Sequence, residues 1–187
     1  QRANALNYPA ALMKTPLTLA QYMDARMISD PIALFDCVMP CAGAEAFLVM
    51  REDEALRRDL PFAQISGTIE RHNAYPEDPM QLRGGWGMDI GELYDMVGHG
   101  PEGVDLLQTY DDYPVISMMQ FEDLGFCAKG EGAAFVRARD LTISGDFTHN
   151  TSGGQLSVGQ AGAAGGYLGL VEARIEAARE AGTLDLG

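Results

Sequence analysis

The most constraining feature of this sequence is a glycine-rich segment that directly precedes a long helical pattern. The segment NTSGGQLSVGQAGAAGG, residues 150–166, holds six glycines, and YLGLVEARIEAAREAG follows it. Glycine permits backbone conformations and close approaches that a Cβ forbids. We therefore expect this segment to form a tight turn, or to bring its backbone close to a ligand or to another helix.

A phosphate-binding loop is a poor explanation of this segment. Such loops need either G-x-G-x-x-G after a strand or a Lys followed by Ser or Thr at their end, and residues 159–165 provide neither. Packing of small residues between helices explains the glycines and alanines. It does not explain the amide side chains beside them, Asn150, Gln155 and Gln160.

The rest of the chain alternates extended segments with helical patterns. Extended segments are predicted at residues 42–50, 62–73, 104–110 and 132–143. Helices are predicted at residues 16–30, 89–98, 114–124 and 167–182, with a charged helix or loop at 51–61 and a structured loop at 74–88. This alternation is typical of a layered α/β fold, which we expect to form one domain over residues 1–187.

Local signals mark the ends of the predicted helices. The first has Thr15 as its expected cap and Pro16 at its first position. Its expected buried stripe consists of Leu17, Tyr22, Met23 and Met27. Gly98 and Gly125 are expected to end the second and third helices.

Charge and cysteine content narrow the possible partners and surroundings. Because the formal net charge is −14, the chain has too few cationic side chains to neutralise a row of phosphates. We therefore expect no nucleic-acid partner. Cys37, Cys41 and Cys127 lack metal-ligand spacing and are expected to be buried free thiols of a cytoplasmic protein. No apolar run approaches the roughly 18 residues of a membrane span. The chain opens at Gln1 rather than Met, so we expect a piece of a longer polypeptide or lost ends.

Two segments resemble the thiolase superfamily, in the branch of the sterol-carrier-protein thiolases and their lipid-transfer-protein relatives. The glycine-rich segment is similar to that family's N-x-x-G-G-x-x-x-x-G-H-P-x-G-x-x-G motif. DLLQTYDDYPVISMMQFEDLGFCAKGEGAAFV, residues 105–136, resembles the segment that carries N-E-A-F or H-D-C-F. The resemblance implies a layered α-β-α fold, with a mixed sheet covered by helices. Residues 1–55 would then end the N-terminal half and residues 60–187 would form most of the C-terminal half.

The departures from these motifs indicate altered chemistry. Gln160 stands at the position of the G-H-P histidine and Ala161 at its proline, while Tyr110 and Tyr113 occupy the first and last positions of N-E-A-F. The family's two catalytic cysteines have no counterpart in this chain. The resemblance therefore implies catalytic roles for Tyr110, Tyr113 and Gln160. It also implies that Asn150, Gly153, Gly154 and Asp112 bind substrate or shape its pocket.

A site that keeps a hydrogen-bond donor but loses the imidazole still stabilises an enolate without forming an acyl-enzyme. This pattern resembles the aldolases of the branch, which convert a β-hydroxyacyl-CoA of a steroid side chain to a ketone and propionyl-CoA. We expect no cofactor beyond the CoA ester, a homodimer, and a companion protein with an OB-fold and a zinc ribbon. Two alternatives stay open: a thiolase or acyltransferase that uses a cysteine outside this chain, or a non-catalytic subunit that binds acyl-CoA or lipid.

Several neighbouring residues have simpler explanations. Asp111 and Asp112 are expected at the start of the helix that follows them, close to the positive end of its dipole, and Asp112 is also a candidate to orient a tyrosine. His149 is expected to face solvent in a turn, and Tyr167 to lie in the core. His72 and His99 are expected to be exposed.

Overall fold

The computed structural model describes the backbone of residues 1–180 and the side chains of residues 1–175. Its helices are α1 (Arg2–Leu6), α2 (Leu19–Met23), α3 (Glu52–Arg57), α4 (Trp86–Val97), α5 (Pro114–Asp123), α6 (Gly132–Ala138), α7 (Gly154–Val158) and α8 (Gly165–Glu180). Its strands are β1 (Met27–Ser29), β2 (Ile32–Ala33), β3 (Leu106–Leu107) and β4 (Thr148–His149). Single turns of 3₁₀ helix cover Leu34–Asp36, Pro101–Gly103 and Gly162–Ala164.

Strand pairing in the described residues is limited to two small sheets. β1 and β2 pair antiparallel. β3 and β4 pair parallel, with Leu106 opposite Thr148 and Leu107 opposite His149. Because the strands run in the same direction, the residues that follow β3 lie beside those that follow β4. This register brings the Tyr110 turn next to the glycine-rich segment.

The core beside this sheet is aromatic. Phe121 of α5 is 2 % exposed and lies 5.6 Å from Phe135 of α6 and 5.7 Å from Phe147, between ring centroids. Phe147 also packs edge-on against Phe126 at 5.1 Å. Such tilted and edge-on pairs are favoured by the ring quadrupole. The cluster fixes α5 and α6 behind the strand ends.

The predicted C-terminal end of α4 and both predicted ends of α5 are confirmed, whereas α4 begins at Trp86 rather than at residue 89. α4 ends at Gly98, which has φ 82° in the left-handed region. α5 has Pro114 at its first position, and Gly125, with φ 87°, follows its last turn. The 51–61 segment forms the charged helix α3, and residues 74–85 form a loop before α4. The helix predicted at 167–182 is α8, which begins at Gly165; residues 181 and 182 lie outside the described part.

The first predicted helix is wrong in extent and cap. α2 covers only Leu19–Met23, and its cap is Thr18. The Thr18 hydroxyl accepts from the Gln21 backbone N–H, and the Gln21 side chain accepts in return from the Thr18 N–H, which forms a capping box. Met23 and Met27 are exposed, and Met27 belongs to strand β1. The better cap, three residues beyond Thr15, determines where the helix starts.

Three of the predicted extended segments are also wrong. Residues 42–50 and 62–73 form no strand in the described structure, and their large apolar side chains, Phe47, Leu48, Val49, Phe62 and Ile65, are exposed. A strand needs a neighbouring strand to bond its backbone, and the described chain places none beside them. Residues 132–138 form α6, since the Glu122 carboxylate accepts from the Gly132 backbone N–H at 2.9 Å and three alanines favour the helix.

Two further expectations concern cysteines and membranes. Cys37, Cys41 and Cys127 are free thiols, although each is partly exposed rather than buried. Within the described residues, no helix combines the length and the apolar character needed to cross a bilayer.

Candidate functional site

Asn150 extends the pairing of β3 and β4 by one residue. Its backbone N–H donates to Leu107 O at 3.1 Å. Its side chain accepts from the Thr109 N–H at 2.8 Å and donates to Thr109 O at 3.3 Å, as a neighbouring strand would. Asn150 is 1 % exposed and adopts φ 42°, a conformation that asparagine tolerates better than most residues. Asn150 thus holds the backbone of Thr109 beside the Tyr110 turn, while its roles in shaping the pocket and in binding substrate stay predictions.

Tyr110 is held at its backbone and presents its phenol. The Gln120 side chain donates from Nε2 to Tyr110 O at 2.7 Å and accepts from Tyr110 N at 3.3 Å. The phenol oxygen accepts from Gln160 Nε2 at 2.9 Å, and the residue is 40 % exposed. The structure therefore brings together two of the three residues predicted to be catalytic.

Gln160 is fixed at its backbone on both sides. Its N–H donates to Met39 O at 2.9 Å, and its carbonyl accepts from Cys41 N at 2.9 Å. The residues next to it, Gly159 and Ala161, line a cleft of about 180 Å³. The other lining residues are mostly small and come from the segments 41–45 and 158–165, with Ala10, Leu12 and Leu168. Gln160 thus stands in sequence between two residues that line the cleft, and its side chain donates to Tyr110.

Asp111 departs from its predicted role. It is 0 % exposed and does not serve the helix that follows it, α5. Its carboxylate accepts from Gln155 N at 2.7 Å, from Leu156 N at 3.5 Å and from Gln1 Nε2 at 2.6 Å. The positive helix end that it meets belongs to α7, because the turn folds its side chain inward. Burial raises the pKa of this carboxyl to about 6, against the opposing effect of the bonds that it accepts.

Gly153 and Gly154 form the turn between Asn150 and α7. Their φ angles are 98° and 63°, in the region that favours glycine. A Cβ on Gly153 would lie 2.5 Å from the Ala5 Cβ, and a Cβ on Gly154 would overlap the Asp111 carboxylate. Both glycines therefore allow close approach of backbone to protein groups. The glycine-rich segment forms the expected tight turn here.

The electrostatics of the site keep the Tyr110 phenol protonated. Burial raises its pKa and the charge of Asp112 raises it further, while the bond from Gln160 lowers it. The net shift is upward from the ordinary value of 10.0. Tyr110 is therefore a neutral phenol at neutral pH.

Tyr113 and Asp112 lie on the same turn as Tyr110. Tyr113 is 37 % exposed, and its carbonyl accepts from Ile116 N at 3.0 Å where α5 begins. Asp112 is half-buried and acts on Tyr110 through its charge. The orientation of a tyrosine by Asp112 and the catalytic role of Tyr113 stay predictions.

His149 does not face solvent as predicted. It is 5 % exposed, its Nε2 lies 2.7 Å from Thr109 Oγ1, and its ring packs edge-on against Phe121 at 4.8 Å. Thr109 Oγ1 also lies 2.8 Å from Ser117 Oγ. Burial lowers the pKa of His149 to about 3. Sequence reasoning missed this buried hydrogen-bond network because its residues come from three separate segments. The only signal in the sequence was that these residues lie near the ends of strands and helices.

Tyr167, His72 and His99 are the remaining residues for which the sequence predicts a position. Tyr167 is 51 % exposed and not in the core; its ring centroid lies 5.5 Å from that of Phe47, which is exposed as well. His72 and His99 are exposed, as predicted. Across residues 1–175 no group of three or more His, Cys, Asp or Glu side chains has the arrangement of a metal site.

A family profile described as "Thiolase C-terminal domain-like" matches residues 91–186, more than half of the chain. The chain belongs to the thiolase superfamily. The matched range of this thiolase-like chain contains all the residues predicted for its site, from Tyr110 to Gln160.

Two curated relatives of this thiolase-like chain are similar along most of its length. Benzoylsuccinyl-CoA thiolase subunit BbsB of Thauera aromatica is 29 % identical over 164 residues, which are 84 % of this chain and 42 % of that protein. The steroid side-chain-cleaving aldolase of Thermomonospora curvata is 32 % identical over 162 residues, which are 81 % of this chain and 41 % of that protein. The chain thus spans less than half the length of these relatives.

A solved structure, the Ltp2–ChsH2(DUF35) aldolase, superimposes on this thiolase-like chain with a TM-score of 0.65 at 27 % sequence identity. The match covers 83 % of this chain and 43 % of that one. The predicted thiolase-like α/β fold is confirmed by this likeness. The division of the chain near residues 55–60 stays a prediction.

Proposed function

We propose that this chain forms part of the active site of a carbon–carbon lyase that cleaves a β-hydroxyacyl-CoA ester by a retro-aldol reaction. The observation that carries the proposal is the 2.9 Å contact between Gln160 Nε2 and the Tyr110 phenol oxygen. This contact pairs the Gln160 amide, a hydrogen-bond donor that takes up no proton at neutral pH, with a phenol that can release a proton. Thiolysis would instead need a thiolate with a base beside it.

Gln160 fits the role of an oxyanion donor. Its amide carries two N–H groups, of which one donates to Tyr110 and the second is left for a thioester oxygen. Because the Gln160 backbone is bonded to Met39 and Cys41, this donor is held in place before the reaction. Its proposed task is to stabilise the enolate oxygen that develops as the substrate breaks.

Tyr110 fits the role of a general acid better than that of a base. Its raised pKa keeps the proton on the phenol at neutral pH. Since the phenol oxygen accepts from Gln160, the O–H itself is left to donate to a substrate. This assignment chooses between the two roles, acid and base, that the sequence left open.

The proposed step balances without any oxidant or co-reactant. The bond between Cα and Cβ breaks, and its electron pair passes to the thioester enolate. The β-hydroxyl proton passes through the Tyr113 phenol to Tyr110 as Tyr110 gives its own proton to Cα, and Cβ becomes a ketone carbon. This exchange restores the acid. The products are a ketone and a shorter acyl-CoA.

The names of the relatives support a steroid-derived substrate and a companion protein. The Thermomonospora relative is named for cleavage of a steroid side chain, and the similar aldolase structure is named for two components, Ltp2 and ChsH2. We therefore propose a steroid side-chain CoA ester that yields propionyl-CoA, with the CoA ester as the only non-protein reactant. A homodimer and an OB-fold companion with a zinc ribbon complete the proposal.

A thiolase activity is the second candidate, favoured by the similarity to a benzoylsuccinyl-CoA thiolase subunit. It would need a nucleophilic cysteine, and Cys127 is poorly suited. Burial and the charges of Glu122 and Glu131 raise the pKa of its thiol, which lowers the thiolate fraction. This second candidate follows the resemblance, which implies a nucleophilic cysteine outside this chain.

The test uses the full-length protein with its companion and a tertiary-alcohol β-hydroxyacyl-CoA ester, followed by mass spectrometry of the products. We expect a ketone and propionyl-CoA, and a loss of about 10²- to 10⁴-fold in kcat for Tyr110→Phe. Tyr75→Phe is the matched control, because Tyr75 lies in the loop before α4, under Arg83. A cysteine-bound acyl adduct with iodoacetamide-sensitive turnover would establish the thiolase instead. Ester binding without products would indicate a non-catalytic subunit.

A further inference from the structure

Asp111 is the buried charged group at the site that the proposed reaction does not use. It follows Tyr110 in sequence and has no exposed surface. Its two oxygens accept from the Gln155 and Leu156 amides at 2.7 and 3.5 Å. These are the second and third residues of α7, the amides that a helix cap normally satisfies.

Helix α7 has no cap of its own. The residue at its cap position is Gly153, which carries no side chain and adopts φ 98°. A Cβ there would meet Ala5, so a capping serine or aspartate does not fit. Asp111 supplies from the neighbouring turn the oxygen that the chain cannot place at residue 153.

We infer that Asp111 is a positioning residue, which sets the Tyr110–Gln160 contact by capping α7 from the adjacent turn. Its catalytic meaning rests on the proposed function. Gln160 is the second residue beyond the end of α7, and Tyr110 immediately precedes Asp111. One carboxylate thus joins the two segments that carry the donor and the phenol.

The chemistry of the contact requires a carboxylate of this length. Three N–H groups point at Asp111, from Gln155, Leu156 and Gln1, so an Asn there would place its own amide donor against them. A Glu has little room, because the Asp111 carboxylate lies so close to the Gly154 backbone that a Cβ on Gly154 would overlap Asp111 Oδ2. The backbone of Tyr110 is hydrogen-bonded to Gln120. A shift of α7 would therefore act on the segment that leads to Gln160, against the bonds of Gln160 to Met39 and Cys41, and would change the side-chain contact with Tyr110.

A double-mutant cycle in the full-length protein tests the inference. We expect Asp111→Asn to lower kcat by about 10- to 100-fold with little change in KM, since a displacement of about 1 Å near reacting groups can cost about 10²-fold. In a Gln160→Leu background the same change is expected to lower kcat by less than about threefold, because the contact it sets is already absent. Equal losses in the two backgrounds would overturn the inference.

Asp123→Asn is the matched control. Asp123 also accepts from a backbone amide, Gly84 N at 2.7 Å, and from Trp86 Nε1 at 3.1 Å, at the start of α4. Its loss is expected to lower the melting temperature without lowering kcat. A comparable fall in kcat for both variants would mean that the loss reflects general destabilisation and would overturn the inference.

A second readout needs no turnover. The Tyr110 phenol pKa is measured by ultraviolet difference titration of each variant against its Tyr110→Phe partner. Gln160 lowers that pKa and the charge of Asp111 raises it, so Asp111→Asn removes both effects in wild type but only the charge in a Gln160→Leu background. We therefore expect the phenol pKa to shift differently in the two backgrounds. Equal shifts overturn the inference. If the wild-type protein cleaves no β-hydroxyacyl-CoA ester, the proposed function fails while this titration still decides the positioning role.

Asp111→Ser is a second variant, which keeps one oxygen acceptor and removes the charge. It replaces Asp111→Asn in both measurements if the latter does not fold. If neither variant folds, as judged by circular dichroism, Asp111 is a structural residue and the inference is wrong.

Discussion

Gln160 donates from Nε2 to the phenol oxygen of Tyr110 over 2.9 Å, although 50 positions separate the two residues in sequence. The contact depends on the parallel pairing of β3 and β4, on the Gln120 clamp of Tyr110 and on the two backbone bonds of Gln160. A donor and a phenol whose backbones are both fixed in this way need little reorganisation, which is what the proposed reaction requires.

Loss of the Gln160 donor is expected to reduce turnover strongly. Gln160→Leu removes the amide but keeps a similar volume, and kcat is expected to fall by about 10²- to 10³-fold, the range seen when one oxyanion donor is removed. Steady-state kinetics on the β-hydroxyacyl-CoA ester provides the measurement. Gln81→Leu, in the exposed loop before α4, serves as the control. Unchanged turnover in Gln160→Leu would exclude the oxyanion role.

Substitution at Gly154 is expected to destabilise the protein. Gly154→Ala places a methyl group against the Asp111 carboxylate at φ 63°, so we expect a loss of roughly 2–5 kcal/mol in the free energy of unfolding. Gly91→Ala is a matched control, since it lies within α4 and a Cβ there has open space. That change is expected to be neutral or stabilising by up to about 1 kcal/mol. Equal urea midpoints for wild type and Gly154→Ala would contradict the close approach.

His149 is expected to make stability fall in acid. Its pKa is 6.5 when unfolded and about 3 when folded, so below pH 6.5 the unfolded chain binds a proton that the folded chain does not. Its contribution is therefore complete above pH 6.5 and declines towards pH 3, with a loss of about 2 kcal/mol near pH 5. Urea unfolding of wild type and His149→Gln over this range measures the difference. A parallel pH dependence in both proteins would show that His149 titrates normally; His72→Gln, at an exposed position, is the control.

Asp111 is expected to make the protein more stable in acid, opposite to the effect of His149. Its pKa rises from 3.8 to about 6 on folding, so between these values the folded chain binds more protons. Its contribution to stability is thus greatest below pH 3.8 and is lost as the pH rises through 6, by an amount on the order of 3 kcal/mol. Relative to Asp111→Asn, wild type should gain stability as the pH falls from 7 to 4. Asp89 provides a control of opposite sign, because Arg71 lowers the pKa of its carboxyl.

Helix ends were the most predictable part of the fold. Gly98, Pro114 and Gly125 act through their own backbone preferences, which do not depend on distant residues. Extended segments were less predictable, because a strand exists only through its partner. Residues 42–50 carry a strand-like composition, yet the described structure places no strand beside them.

The site itself was predictable where chemistry, rather than packing, distinguishes a residue. Tyr110 and Gln160 stand out because a phenol and an amide replace groups that the resemblance leads one to expect. Asp111 and His149 were misjudged because their surroundings are set by other segments. Asp111 meets α7, and His149 meets Thr109 and Phe121, and neither neighbour is visible from local sequence.

The side chain of Gln120 bonds both the N–H and the C=O of Tyr110, which are the groups that another strand would use. One amide therefore occupies the open edge beyond β3 where the chain would otherwise offer a template for a foreign peptide. The same residue that holds the Tyr110 backbone thus leaves these two groups unavailable for edge-to-edge β pairing with another chain.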